Sequence, residues 1–585
     1  MSDAKKSFAR ENTGLIREIG PLTAIIITVC YAIGWAWQVR IYQWEAAAPL
    51  PENLWFAGIP PPVMAIFVVG IVTLVVMFGY SILAAAMPRS GGGYVAISRI
   101  INPFAGFVAS WVEVLSISWT FGIIAATVIW LGLYITGPSL LPSLFQAIAN
   151  ATWNYGDVVM TMGGLSLVII FTVVAAFGAK LTGYVLQVLF WVPAILTLYV
   201  LYLLGSAIIS PAVLERGISA WAQSQGVAGV TADTYVKAAL AQGLDGANVG
   251  NYWTAVSVSL AGAYFAYVGY AATTFVVGEV KEPKRNLPKV LIIATIVIIV
   301  LYVTNGYFAA YAASSVGQIT LPNGDRWSFF DAYSFLSYAG SLSQAGLPTG
   351  RLLVPTLAAM SGMGLGLGSL NILLFLFSVL WVVNDLPPFI LTASRLIFAM
   401  SFDRVLPTSL AKVNSRFHSP VNAIVLVGVF AVLGSLGSSC VLCTGDSWSP
   451  GGPLGDVLNG IFFNGIGAVD LLDVVFFSLF ALAVLLFPFR QRHVFDAAYF
   501  KPGGRIGVAA IGLTGLIANL IIGWAVLTSS VDSYNILAPN SDNWYALGFD
   551  LLLGIIGAAI YGYYKWGPSK KHVDYATIFS EIPPD

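Results

Sequence analysis

The sequence predicts an all-α membrane protein of about twelve spans. Three observations carry this: a strongly apolar composition, long apolar runs at regular intervals, and basic residues confined to alternate loops. Of the 585 residues 58% are hydrophobic and only 9% charged, with a mean hydropathy of +0.83. A single aqueous core stops growing well below this length, so this much apolar surface needs lipid as its solvent.

Runs long enough to cross about 30 Å of hydrocarbon at 1.5 Å per residue fall at roughly 21–44, 63–86, 104–136, 162–179, 182–208 and 253–278. A second set follows at roughly 290–313, 366–400, 420–438, 460–488, 505–528 and 545–564. With a cytoplasmic N-terminus, all of the 27 basic residues except Arg40, Arg216, Lys237, Arg326 and Arg351 fall on the inner side, as the positive-inside rule requires. The expected location is the plasma membrane, multi-pass, with both termini cytoplasmic.

Equal numbers of basic and acidic residues, 27 of each, argue against nucleic acid as a partner, which needs a concentrated basic face. Three cysteines are too few for a disulfide framework; Cys440 and Cys443 either close one local bridge or stay free thiols. The start, Met1 to Gly20, is polar, so no cleavable signal is expected. Outer loops at 209–252, 314–352 and 439–459 read as lids or small ordered caps. Asn150-Ala151-Thr152 forms a glycosylation sequon of low weight, and Trp44, Trp55, Trp153, Trp253, Trp327 and Trp544 read mostly as interface anchors. The tail beyond 565 should be solvated.

Three stretches carry a family resemblance. The first is Met87-Pro88-Arg89-Ser90-Gly91-Gly92-Gly93-Tyr94, followed by Ser98-Arg99 and Asn102-Pro103. The second joins Phe265-Ala266-Tyr267-Val268-Gly269-Tyr270 to the basic, proline-marked loop from Gly278 to Pro288. The third runs Ala393-Ser394-Arg395, Asp403-Arg404 and Ser419-Pro420-Val421-Asn422. Over nearly the whole chain this resembles the amino acid/polyamine/organocation (APC) transporter superfamily, amino acid permease type.

That resemblance implies a 5+5 inverted repeat of the leucine-transporter type plus two extra helices, with the first and sixth helices broken near mid-membrane. The division expected is a cytoplasmic segment 1–20, a first repeat 21–208, an outer loop 209–252, a second repeat 253–488, helices 11 and 12 at 489–564, and a cytoplasmic tail 565–585. Unwinding a helix in lipid frees N–H and C=O groups, tolerable only where they line a cavity and bind something. Half-helix N-termini favour a carboxylate, and freed carbonyls suit an ammonium or Na⁺.

Carried over by position, the amides of Gly34, Trp35 and Ala36 would face a substrate carboxylate. The carbonyls of Ala32, Phe265, Ala266 and Val268, beside Gly269, would face its amine. Trp35 and Ala36 depart from the family's usual Ile-Gly-small-Gly, which bears on the carboxylate pose. The plainer reading of Gly34 and Gly269 is close helix packing. Tyr31, Tyr267 and Tyr270 flank the breaks and either shape the pocket or simply pack.

Charges inside spans need a reason. Glu113 and Asp385, both near mid-depth, could hold an amine, carry a proton or coordinate a cation, or merely tie helices together. Asp470 and Asp473 read as nearer the outer surface. Glu279, beside Lys281 and Lys284, reads as a gating or structural ion pair at the inner face. Ala194 stands where proton-coupled relatives carry a lysine, so coupling would come from an acid, from Na⁺, or be absent in an exchanger; Lys180 should snorkel.

The glycines from Gly364 to Gly368 mimic a phosphate loop only superficially. His418, His493 and His572 all lie in loops, which leaves no haem or copper site. The expectation is a non-enzyme: a secondary active permease for amino acids, neutral or cationic, working by alternating access. No cofactor is expected, with possible coupling to H⁺ or Na⁺. The partners are a small amine or amino acid and the lipid bilayer, with any protein partner unknown. The alternatives are a polyamine or other organocation carrier, and a transport-silent sensor or scaffold.

Overall fold

The computed structural model describes residues 14–34, 36–245, 251–267, 269, 271–348, 354–439, 469–528, 541–567 and 578–579. Trp35, Val268, Tyr270, Cys440 and Cys443 lie outside the described residues, as do the side chains of Ala36 and Phe265.

Eleven helices among the described residues are long and apolar enough to cross a bilayer. They match the expected runs at all positions but one. The exception is the sixth, where a helix over Tyr252–Tyr267 stops at a turn and resumes as short pieces at Ala272–Phe275 and Val277–Glu279. Span 1 is interrupted likewise, as 1a (Pro21–Ala32) and 1b (Ala36–Ala47). The two interruptions thus occupy the first place in each set of five.

The other spans are 2 (Pro61–Ala86), 3 (Pro103–Trp130), 4 (Gly156–Ala176), 5 (Ala179–Ile209), 7 (Pro283–Ser314), 8 (Asn371–Phe402), 9 (Val421–Ser439), 10 (Val469–Arg490), 11 (Gly504–Thr528) and 12 (Ser541–Trp566). Pro21, Pro61, Pro103 and Pro283 each open a span. Proline there gives up only an N–H that has no helical partner and pre-sets the helical φ. Asn102 caps span 3, its Oδ1 accepting from the Ala105 amide at 2.7 Å, which satisfies one orphan donor.

Span 3 lies at the centre, packed against spans 4, 8, 9, 10 and 12. Span 5 lies at the rim, with Val188, Trp191, Ile195, Leu198 and Tyr202 exposed. Their spacing of three and four residues traces one helix face, the side that lipid covers. Lys180, at its start, is exposed.

The end of the bundle that carries the loop from Pro88 to Pro103 is called the basic end below. At the opposite end the two longer loops build a cap. Helices Pro211–Ser224, Ala232–Ala241 and Phe329–Tyr338 pack there with a hairpin of β1 (Ile319–Thr320) and β2 (Arg326–Trp327). Ser328 and Asp331 form a capping box at the third helix. Trp44 and Trp327 are each 1% exposed and belong to this core, so they are not interface anchors, whereas Trp153 and Trp253 are exposed as expected.

Two more expectations change. A helix over Val354–Gly364, absent from the apolar-run reading, crosses the cap helix Pro211–Ser224; a Cβ at Gly364 would strike the Val213 carbonyl, so this glycine serves close packing. In the tail, Ile578 and Phe579 are buried instead of solvated, with the Phe579 ring 4.9 Å from the Arg99 guanidinium.

Candidate substrate site at the broken helices

Span 1a leaves the helix at Ile33 (φ −88°, ψ 55°), and span 6 turns at Gly269 with φ +98°, a conformation open to glycine and strained for other residues. A Cβ at Gly269 would fall on the Tyr31 ring and 2.8 Å from the Tyr31 carbonyl oxygen. A Cβ at Gly34 would lie 2.6 Å from Asp385 Oδ2. Both glycines let side chains approach the broken backbone, as the packing reading holds, and Gly269 also takes the turn that breaks span 6.

Asp385 lies at an interruption in the hydrogen bonding of span 8. Its halves Asn371–Val383 and Leu386–Phe402 meet at Asn384-Asp385, where Pro387 and Pro388 withhold two amide donors and restart the helix. Asp385 is 2% exposed and Asn384 0%. Asp385 Oδ1 and both amide atoms of Asn384 have no hydrogen-bond partner among the described residues. A buried polar group left unsatisfied costs about 1–3 kcal/mol, so three of them beside a broken helix make a place suited to a polar guest.

The walls are aromatic. Tyr31 lies tilted against Phe389 of span 8 with ring centroids 4.3 Å apart; Tyr302 of span 7 lies 6.1 Å from Trp37 and 5.2 Å from Tyr267. Tyr267 also ties span 6 to span 2, its hydroxyl donating to the Ile66 carbonyl at 3.1 Å. All five rings are buried.

Sequence reasoning missed Tyr302. Its hydroxyl bonds to the Ala266 carbonyl at 2.7 Å and to the Ala32 carbonyl, two of the four carbonyls expected to face an amine. One O–H has a single proton, so it can serve both only by sharing or alternating. The tyrosine hydroxyl thus holds two carbonyls that the sequence reading assigned to an amine.

The halves at the basic end are stitched together. Ile19 N–H donates to the Glu279 carbonyl at 2.8 Å and Lys281 N–H to the Ile19 carbonyl at 2.9 Å. Thr28 and Thr273 hydroxyls meet at 2.5 Å, and Thr273 also donates to the Ala24 carbonyl at 2.7 Å. Span 1b is tied instead to span 8: Ser378 Oγ donates to Gln38 Oε1 at 2.8 Å.

Glu279 is an ion-pair residue, as expected, but its partner is Arg395 of span 8 and neither nearby lysine. The guanidinium donates to both carboxylate oxygens at 2.7 and 3.0 Å. A second buried pair, Arg99 with Asp403 at 2.6 Å, is braced by the Tyr94 hydroxyl. Beside it lies a cavity of about 370 Å³ lined by Arg17, Arg89, Tyr94, Arg99, Phe398 and Asp403.

Glu113 does not join the broken-helix group. It is buried on span 3 against Asp473 of span 10. Asp473 lies in the first turn or so of span 10, at the end away from Arg490, and is 3% exposed.

A family model described as amino acid permease matches residues 19–545. Among curated proteins, the serine/threonine exchanger SteT of Bacillus subtilis is 22% identical over 317 residues, 53% of this chain and 58% of its own length. The branched-chain amino acid permease BcaP of Lactococcus lactis is 23% identical over 389 residues, covering 65% of this chain and 68% of its own length. An uncharacterized transporter of Mycobacterium tuberculosis is 25% identical over 457 residues, 78% of each.

Proposed function

Because the chain belongs to the amino acid permease family, we propose that it is a secondary carrier of amino acids, neutral or cationic, working by alternating access. The observation that carries the substrate class is the Asp385 carboxylate, aimed at the break of span 1 with one oxygen unpartnered among the described residues. In this reading Asp385 takes the substrate ammonium, with the carbonyls of Ala32 and Ala266 once Tyr302 yields them. The amides that open span 1b, at Ala36, face the carboxylate. The names of the relatives, a serine/threonine exchanger and a branched-chain permease, support small amino acids over larger solutes.

Spans 1 and 6 would rock against spans 3 and 8, opening at the basic end by parting Glu279 from Arg395. With the basic end inside, the chain is a plasma-membrane carrier with both termini cytoplasmic. A second reading, an organocation or polyamine carrier, draws on the same acid within aromatic walls of Tyr31, Trp37, Tyr302 and Phe389.

Counterflow in proteoliposomes with labelled serine, threonine, leucine, lysine and putrescine separates the two. We expect amino acid exchange, lowered at least about tenfold by Asp385→Asn, since a hydrogen bond to a charged group is worth about 1.5–3 kcal/mol. Exchange of putrescine alone would select the second reading, and unimpaired exchange by the variant would remove Asp385 from the site.

A further inference from the structure

Spans 3 and 10 face each other through two acids. Glu113 and Asp473 are 2% and 3% exposed, and their carboxyl groups lie within hydrogen-bonding reach of one another. Ser116 Oγ, nearly one turn along span 3, donates to Asp473 Oδ1 at 2.6 Å. Glu113 Oε2 has no donor among the described residues. Two ionised carboxylates this close repel by roughly 4 kcal/mol even at an effective dielectric of 20, and burial opposes both charges further. One proton held between them removes the repulsion and provides the missing donor.

The surroundings offer no substitute for that proton. No basic group among the described residues acts on either acid. Span 8 contributes another acid, Asp385, and one base, Arg395, which Glu279 engages; span 12, packed on span 3, contributes buried Asp550. Span 11, packed on span 10, brings the neutral Asn519. Span 9 has no charged residue, and the acid of span 4, Asp157, lies in its first turn. Arg99, in the short helix Gly93–Ile100 before span 3, is engaged by Asp403. Span 1 brings Tyr31, which lies within electrostatic reach of Glu113, Asp473 and Asp385 alike.

We propose that Glu113 and Asp473 form a proton-binding site that carries the coupling proton of the transport cycle, separate from the amine-binding Asp385. This rests on the carrier reading above. In the loaded pair one carboxyl O–H donates to the other carboxylate. When water reaches the pair from one side the proton leaves to water and two carboxylates remain; from the other side one proton is taken back. No other bond changes.

The test uses proteoliposomes holding wild type, Glu113→Gln or Asp473→Asn, with labelled serine, leucine or lysine, whichever exchanges. Counterflow is measured without a pH gradient, and accumulation with an imposed pH gradient as the sole driving force. The ratio of gradient-driven accumulation to counterflow should fall at least tenfold in each variant. A wild-type ratio in either variant overturns the proposal, as does wild-type protein that exchanges yet ignores the pH gradient. Absence of wild-type counterflow across the panel strikes the carrier reading itself, and this proposal with it. If a variant fails to insert, Ser116→Ala removes the donor to Asp473 and leaves both acids in place. It should move the midpoint of the pH profile by about one unit; an unmoved midpoint overturns the proposal.

Discussion

Replacing Glu279 by Gln leaves the Arg395 guanidinium inside the bundle with no charge opposite it. The pair meets at 2.7 and 3.0 Å, with 0% of the arginine side chain and 3% of the glutamate exposed. Removing one partner of such a buried pair costs about 3–5 kcal/mol. A state open at the basic end lets Arg395 reach water and escapes that cost. At about 1.4 kcal/mol per factor of ten, the open population should rise by roughly 10²–10³.

Cys30 provides the reporter, being 0% exposed on span 1a beside the break. With Cys440 and Cys443 changed to Ser it is the sole remaining cysteine of the chain's three. Its labelling by N-ethylmaleimide then scales with the open population. Glu279→Gln should raise the rate about 100-fold. The neutral double variant Glu279→Gln/Arg395→Met should return it to within about tenfold of wild type, because an apolar replacement leaves no charge stranded. A Glu279→Gln protein that stays monodisperse and labels within about twofold of wild type would refute the gate, since a purely structural pair has no reason to expose Cys30.

Three further outcomes follow from the geometry. Gly269→Ala puts a Cβ onto the Tyr31 ring at φ +98°; counterflow should fall more than about 50-fold, from a φ penalty of about 1–2 kcal/mol plus the collision, and normal exchange would remove the broken helix from the site. Tyr302→Phe strips the hydroxyl from the Ala32 and Ala266 carbonyls, costing about 1–3 kcal/mol per orphaned group. The ligand-free protein should melt earlier and gain more from added substrate than wild type does; an equal ligand-induced Tm shift in both would show that substrate does not replace the hydroxyl. In the cap, burial and then the nearby Glu52 charge push Asp331 from its ordinary 3.8 up to about 8. The folded cap therefore binds more protons than the unfolded chain between those values, and the stability from this group falls as pH rises through them. Hydrogen-exchange protection of 319–338 should weaken from about pH 6 to about pH 8 and level off above that. Asp331→Asn, whose amide oxygen still accepts from Ser328, should flatten the slope; a slope unchanged in that variant contradicts the assignment.

The spans were legible because each is a long apolar run, and the breaks because glycine stands where the family unwinds. Glu279 was legible as an ion-pair residue from its charge at the basic end. Its partner was not, since Arg395 lies 116 residues away and two lysines stood closer in sequence. The same limit hid the pairing of Glu113 with Asp473 and the reach of Tyr302.

In a water-soluble helix the apolar stripe says which face turns inward. A span is apolar on its lipid side as well, so the pattern gives depth but not rotation. Rotation is what brings Tyr302 to the carbonyls and Asp473 to Glu113. The cap was expected from its loops, but its elements escaped for a different reason. Its helices are short and mixed in composition, and Trp44 and Trp327 are indistinguishable by sequence from tryptophans at a membrane surface.

The stitching of Ile19 to Glu279 and Lys281, and of Thr28 to Thr273, also bears on leakage. Had the two half-helices been free to part separately from the rest, thermal noise could lift either one and admit water past a closed opposite end. Joined by backbone bonds, they form one lever with one hinge. An accidental opening then needs a single concerted event, and the insulation of the membrane depends on the rarity of that event.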